Sequence, residues 1–187
     1  ILATGCIERP IAFAHNDRPG VMLSQAVRTY VRRFGVRPGK RVVIATNNDD
    51  AYLTAQTLSD AGAEVVAILD ARSALSAVAS EAQGRFTVHT NAVPKAATGG
   101  MHQLKSVKAT VSAQDVSYDA DLLAVSGGFT PVTHLHMQAG GTLGFSDEAQ
   151  AFVAAECRQN VETIGSAANP PAALPLALHG DPKTSFV

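Results

Sequence analysis

Cysteine is scarce in this 187-residue sequence: Cys6 and Cys157 stand far apart, with no CxxC spacing. That excludes a disulfide-built scaffold and a cysteine-based zinc site. It reads as two ordinary thiols in a reducing cytoplasm. An excess of charge of either sign is also missing. Fifteen Lys and Arg stand against sixteen Asp and Glu, for a net charge of −1. This removes the electrostatic case for nucleic acid or a membrane surface. No apolar run approaches the roughly 20 residues needed to cross a bilayer. No charged-then-apolar signal segment opens the sequence. What is present is enough for a packed core, since 46% of residues are hydrophobic and 17% charged. The ends, "ILATG" without a methionine and "GDPKTSFV" closing on an apolar pair, read as cut from something longer.

Residues 41–73, "RVVIATNNDDAYLTAQTLSDAGAEVVAILDARS", read as strand, turn, helix, strand. The runs Val42–Thr46 and Glu64–Asp70 are apolar without alternation, which predicts parallel strands covered on both faces. Leu53, Thr57, Leu58 and Ala61 form a helical stripe between them, with Gly62 placed to end the helix. Upstream, "VMLSQAVRTYVRRFG" sets Leu23, Val27, Tyr30, Val31 and Phe34 on one helical face, with Gly35 as its stop. Residues 73–81 predict a short alanine-rich helix, and "FTVHTNAVP" a third strand. "QLKSVKATVS" alternates, as a half-exposed antiparallel strand does, and with its neighbours predicts a small β-meander. "DLLAVSGGFTP" returns to a buried strand ending at Gly127-Gly128. Short strands are also expected at Ile1–Ala3 and in "VETIGSAANP", and "PPAALPLALHGDP" reads as a linker or tail. The expected fold class is therefore α/β. A Rossmann-like βαβ domain with a parallel sheet and an antiparallel meander spans residues 20–128, flanked by pieces 1–19 and 129–187.

Glycine is absent where this fold needs it most. A dinucleotide fingerprint places glycines between the first strand and the helix, so that the backbone can approach a pyrophosphate at the helix N-terminus. Here the turn is Thr46, Asn47, Asn48, Asp49, Asp50. Asp49 or Asp50 is expected to cap the helix through a carboxylate-to-backbone N–H bond, closing the phosphate site. Asp70 ends the second strand, where an acidic residue either holds a ribose hydroxyl or serves as a turn residue.

Other candidates carry two readings each. Thr4 and Gly5 sit in a small turn after a strand, where open α/β sheets bind ligands, or form a tight turn and nothing more. Arg9 can reach a phosphate bidentately, or pair with Glu8 or Asp17. Arg28, Arg32 and Arg33 form a solvated helix face or a surface for a partner subunit. His134 and His136 would point the same way on a strand, yet no third metal ligand lies near them in sequence. The remaining histidines, His15, His89, His102 and His179, are scattered and are assigned no role. No catalytic constellation emerges.

Several landmarks resemble the two-dinucleotide-domain flavoproteins: "ILATG", "YDADLLAVSGGFTPVTHL" and "VETIGSAAN". The pieces "ATGCIERP", "NDRPGVML", "TNNDDAY", "GGFTPVTHL" and "KTSFV", in this order, are similar to the α subunits of heterotetrameric sarcosine oxidases. Related amine and opine dehydrogenase subunits share much of the pattern. The resemblance implies that residues 1–19 end the first half of an outer NAD-binding domain. Residues 20–128 would be an inserted Rossmann-like domain. Residues 129–187 would return to the outer domain and lead to a folate-binding domain beyond the sequence. It implies NAD in the intact subunit, FAD and FMN in the complex, tetrahydrofolate as one-carbon acceptor, and β, γ and δ subunits as partners. Amine oxidation at FAD would belong to the β subunit, so this stretch would have no catalytic residue and no cofactor when isolated. Thr4, Gly5, Arg9 and Gly165 become the candidate cofactor contacts. Gly165 is followed by Ser166 where the class has Gly-Asp.

Overall fold

The structure is a computed structural model that describes residues 1–168 and 170. It divides into two compact units. One holds Ile1–Glu8 and the chain from Gly128 onward; the other is Arg9–Gly127. In chain order, the first unit contributes β1 (Cys6–Glu8). The larger unit then runs through β2 (Val21–Leu23), α1 (Ser24–Phe34), β3 (Arg41–Thr46), α2 (Asp50–Asp60), β4 (Glu64–Asp70), α3 (Ala77–Ala82) and β5 (Val88–His89). It continues with β6 (Ala92–Gly100), β7 (Gln103–Val111), β8 (Gln114–Asp119) and β9 (Leu122–Ser126). The smaller unit resumes with β10 (Phe129–Pro131), α4 (His134–Gln138), β11 (Gly141–Ser146), β12 (Ala151–Cys157) and a 3-10 turn at Gly165–Ala167.

In the larger unit five strands pair in the order β2-β9-β3-β4-β5, all parallel. The unbroken apolar runs have the cause expected of them. Val42 and Ile44 face a core closed by Val27 of α1 and by Ala51, Ala55 and Leu58 of α2. Val43 and Ala45 face the opposite core, closed by Ala97, Leu104, Val107 and Ala109 of the meander. One face of the sheet is thus covered by helices and the other by the antiparallel sheet β6-β7-β8.

The structure differs from the sequence expectation at several points. Val21–Leu23 is a parallel strand on β9, not the first turn of a helix, because its three apolar residues pair with Leu123–Val125. Helix α1 ends as expected at Gly35, which has φ 63° and donates its N–H to the Val31 carbonyl at 3.1 Å. Of its expected apolar face, Val27 is buried while Tyr30 and Phe34 are exposed. "FTVHTNAVP" is two strands in two sheets, divided at Asn91, whose φ is 48°. Helix α2 buries Tyr52, Ala55 and Leu58 rather than a stripe through Leu53.

In the smaller unit β1 pairs antiparallel with β10, and β11 with β12 as a hairpin whose Phe145 and Phe152 rings meet edge to face at 5.4 Å. The expected strands at Ile1–Ala3 and Val161–Ile164 reduce to one parallel bridge, Leu2 to Thr163. His134 and His136 lie on helix α4 rather than a strand, so one is buried and the other exposed. Beyond its first residue, Pro170, the stretch "PPAALPLALHGDP" lies outside the described residues, as does "KTSFV".

Gly20 shows what holds the sheet to the meander. Its φ is 104°, and a Cβ there would stand 2.8 Å from both the Asp121 carbonyl oxygen and Leu104 Cβ. Gly20→Ala should therefore cost about 1–3 kcal/mol through backbone strain alone, before the clash is counted. A chemical unfolding midpoint unchanged from wild type would contradict this.

Candidate functional site

Doubly wound sheets bind ligands beyond the carboxyl ends of their strands. In the larger unit those ends are Thr46 of β3, Asp70 of β4 and Ser126 of β9, paired side by side. Each is buried and each is hydrogen-bonded by the protein itself. Thr46 Oγ1 accepts from the Asn48 N–H at 3.0 Å. The Asn48 amide donates to the Ser126 carbonyl at 3.1 Å and to Ser126 Oγ at 3.0 Å. Its side-chain oxygen accepts the Asp50 N–H at 3.1 Å. The side-chain bond to the first N–H of α2 is thus made by Asn48, one residue before the N-cap Asp49. Neither aspartate makes the expected carboxylate-to-backbone cap.

The two carboxylates have other partners. Asp50 pairs with Arg28 at 2.7 Å, with side chains only 6% and 11% exposed. Arg28 also donates to the Asp50 carbonyl at 2.8 Å, so this residue belongs to a sealed ion pair and not to a solvated helix face. Asp49 pairs with Arg72 at 2.7 Å and accepts from Ser76 Oγ at 2.7 Å. Asp70, fully buried, accepts from the Tyr52 phenol at 2.7 Å and from the backbone N–H and guanidinium of Arg72. No oxygen is left facing a ribose.

Burial, then the bond to Asp70, pushes the Tyr52 phenol well above its ordinary range. Burial works against the Arg72 charge, but the hydrogen bonds to Asp70 and Asp49 outweigh it and hold the guanidinium above its ordinary value. Within the cluster Asp49, Asp50 and Asp70 face Arg28 and Arg72, an excess of one negative charge. A pyrophosphate entering here would meet that charge and no glycine. At ~4 Å and an effective dielectric near 20, one like-charge pair costs on the order of 4 kcal/mol. The residues present do not fit a dinucleotide.

The smaller unit presents a different arrangement. Gly5 (φ 77°) and Gly165 (φ 64°) both adopt left-handed backbone. They flank one ladder: the Leu2 N–H donates to the Glu162 carbonyl at 2.7 Å and the Ile164 N–H to the Leu2 carbonyl at 2.9 Å. A Cβ on Gly5 would lie 3.9 Å from Ser166 Oγ, and one on Gly165 would meet nothing within 4 Å. Thr4, Gly5 and Gly165 are therefore brought together as two adjacent open turns. Thr4 Oγ1 donates to the Val132 carbonyl. Arg9 lies in the larger unit, where its Nε donates to the Gly127 carbonyl at 3.0 Å. His136 is buried beneath the ladder, its Nε2 3.1 Å from the Thr142 carbonyl and its Nδ1 3.2 Å from Thr163 Oγ1. A carbonyl can only accept, so Nε2 carries a proton and donates it to Thr142. Gly141 makes room for this ring, since a Cβ there would stand 2.3 Å from Nε2.

Sequence reasoning missed Tyr52, Arg72, Ser76 and Asn48, and it weighed His136 only as a metal ligand, not as a buried partner of Thr142 and Thr163. Asn48 alone carried a signal, as a strong capping type one residue before the aspartates. No group of three or more His, Cys, Asp or Glu able to hold a metal occurs among the described residues. No helix there is long and apolar enough to cross a membrane.

No protein-family model matches the chain. Three sarcosine oxidase α subunits are homologues at 39–42% identity. That of Corynebacterium sp. (strain U-96) is 41% identical over 174 residues, which is 89% of this chain and 18% of the relative. The chain thus spans less than one fifth of that subunit's length. An opine oxidase subunit of Agrobacterium tumefaciens (strain Ach5) is 28% identical over 177 residues, 81% of this chain and 34% of the relative. Among solved structures, L-proline dehydrogenase from P. horikoshii superposes with a TM-score of 0.64 at 21% identity, over 89% of this chain and 29% of that one. T. acidophilum thioredoxin reductase gives 0.66 at 16%, over 89% and 56%. At these identities the structures establish the fold, an α/β Rossmann-type fold with a parallel sheet and an antiparallel meander.

Two outcomes test the network. Asp50→Ala strands a guanidinium in a nearly sealed site and should cost about 3 kcal/mol in urea unfolding; a loss under about 1 kcal/mol would be the value of an exposed pair instead. The second concerns alkali. Tyr52 holds its proton more tightly folded than unfolded, so its contribution is complete below the ordinary phenol value of 10.0 and is lost as pH rises above it. Thermal midpoints should fall above about pH 10. Tyr52→Phe should flatten that fall, leaving the smaller part due to Tyr118, which burial also raises. An identical alkaline slope in the variant would refute the assignment.

Proposed function

We propose that this chain is a stretch of the α subunit of a sarcosine oxidase-like oxidoreductase. Arg9–Gly127 would be the inserted dinucleotide-type domain, and the unit of Ile1–Glu8 and Gly128 onward a piece of an outer, NAD-binding domain. The observation that carries this reading is the 39–42% identity to sarcosine oxidase α subunits, against 28% to the opine oxidase subunit. The geometry adds a division of labour. The strand ends of the larger unit are satisfied by its own side chains, and that unit serves as scaffold. The open turns at Thr4, Gly5 and Gly165 suit close approach of a cofactor to backbone, and we assign them contacts with NAD. Arg9 is assigned a phosphate contact.

In the intact complex, sarcosine would be oxidatively demethylated with FAD and FMN. The one-carbon unit would pass to tetrahydrofolate on a folate-binding domain, and β, γ and δ subunits would be partners in a cytoplasmic assembly. This chain's residues would bind and orient NAD; none is assigned to bond-breaking. Membership of a related amine or opine dehydrogenase is the second reading, favoured by the match to the opine oxidase subunit over 81% of the chain.

The test is co-expression of the full-length protein with its partners. Oxygen uptake should depend on sarcosine and not on opines; the reverse dependence would replace the first reading by the second. Gly5→Val in that complex should lower NAD retention at least about tenfold, a loss of about 1.4 kcal/mol. Full retention of NAD with impaired assembly of the complex would leave this chain a scaffold only.

A further inference from the structure

We infer that Arg72 and Ser76 form a seat for a phosphate group, and that the protein fills it with the carboxylate of Asp49. The inference rests on the larger unit alone and stands or falls independently of the proposed function.

Asp70 and Arg72 lie at and just beyond the carboxyl end of β4, the second strand of the βαβ unit. In doubly wound folds an arginine near this place accepts a phosphate on the ribose. Arg72 is held in position before any ligand is considered. Its Nε and Nη2 both bond the buried Asp70 carboxylate, at 3.0 and 2.7 Å. From that fixed position Nη2 also reaches Asp49 Oδ1 at 2.7 Å. Ser76 Oγ converges on the same oxygen at 2.7 Å, while accepting the Ala79 N–H at 3.1 Å. A guanidinium and a hydroxyl aimed at one anionic oxygen match a phosphate as well as a carboxylate.

The two ion pairs of the turn differ in a way that singles out this one. Arg28 and Asp50 are sealed, at 11% and 6% exposure, so that pair is structural. Arg72 and Asp49 are 28% and 29% exposed, so the seat opens to solvent and its occupant can be exchanged. The Asp49 carboxylate is also dispensable to the helix start, because Asn48 supplies the side-chain bond to its first N–H. With Asp49 removed, two carboxylates face two guanidiniums and the excess negative charge disappears. The larger unit has therefore kept an anion seat and closed it with an internal ligand.

Asp49→Ala in the 187-residue chain should expose the seat. Thermal midpoints would be measured against inorganic phosphate, and against adenosine 2′-monophosphate with adenosine as control, in chloride of matched ionic strength. Phosphate at about ten times its dissociation constant should raise the variant's midpoint by about 3–6 °C. Wild type should bind at least about tenfold more weakly, because its own carboxylate competes. Asp49→Asn, which removes the charge and keeps the shape, gives the same comparison if the alanine variant does not fold. Adding Ser76→Ala should weaken phosphate binding about fivefold, the loss of one hydrogen bond. No phosphate response in either Asp49 variant would overturn the inference. So would an equal response in wild type, or one unaffected by Ser76→Ala, which would place the ion elsewhere.

Discussion

Asp70 is a carboxylate with no access to solvent, and the larger unit is arranged around satisfying it. A buried charge left without partners costs several kcal/mol. Its partners come from two places: Tyr52 in the first turn of α2, and Arg72 just past the end of β4. Satisfying Asp70 therefore sets the position of α2 over the sheet and the path of the chain leaving β4. The constraint then spreads. Arg72, fixed by Asp70, fixes Asp49; Asp50, next in sequence, fixes Arg28 on α1. Two helices, the end of β4 and the loop before α3 are joined by two sets of charge-assisted hydrogen bonds that meet at the adjacent Asp49 and Asp50. Such networks rigidify when every member is satisfied and weaken sharply when one is removed.

How much of this was legible in the sequence follows from the kind of force involved. The parallel strands β3 and β4 were readable because both their faces meet apolar cores, which leaves an unbroken hydrophobic run. The meander was readable because β7 has one covered face and alternates. The end of α1 was readable because Gly35 relieves a left-handed backbone. The polar network was not. Which arginine meets which aspartate is decided by tertiary placement: Arg28 and Asp50 are 22 positions apart, and Asp49 and Ser76 27. The expected aspartate cap failed for the same reason. A carboxylate offered a guanidinium takes the charge, and the neutral Asn48 is left to serve the backbone.

The smaller unit was less legible because its elements are short and their partners distant. Leu2 and Thr163 meet across almost the whole described chain, through one bridge and no periodic signal. "THLHM" alternates like a strand but forms α4, which buries His136 between Thr142 and Thr163. The determining residue is Gly141, which accepts the imidazole against its backbone. What the sequence offered at Thr4-Gly5 and Gly165 was turn chemistry, and the geometry of those turns is what it became. Their glycines have left-handed φ and open sides.

The contrast between the two units has a thermodynamic reading. The apolar faces of a doubly wound sheet stabilise it whether or not a ligand binds, since burial depends on helices and meander rather than on the strand ends. What the strand ends require is that Thr46, Asp70 and Ser126 be satisfied. A nucleotide can do this, but only in proportion to its concentration over its dissociation constant. Side chains can do it at all times, at the cost of the binding site. The turn "TNNDD" takes the second course: asparagine for the strand ends and the first N–H of α2, one aspartate for a sealed ion pair, the other for an open seat. The lack of glycines and the presence of the carboxylates in this turn act together. The first removes close approach to a pyrophosphate, and the second replaces its charge, so the fold persists with its site occupied by the protein itself.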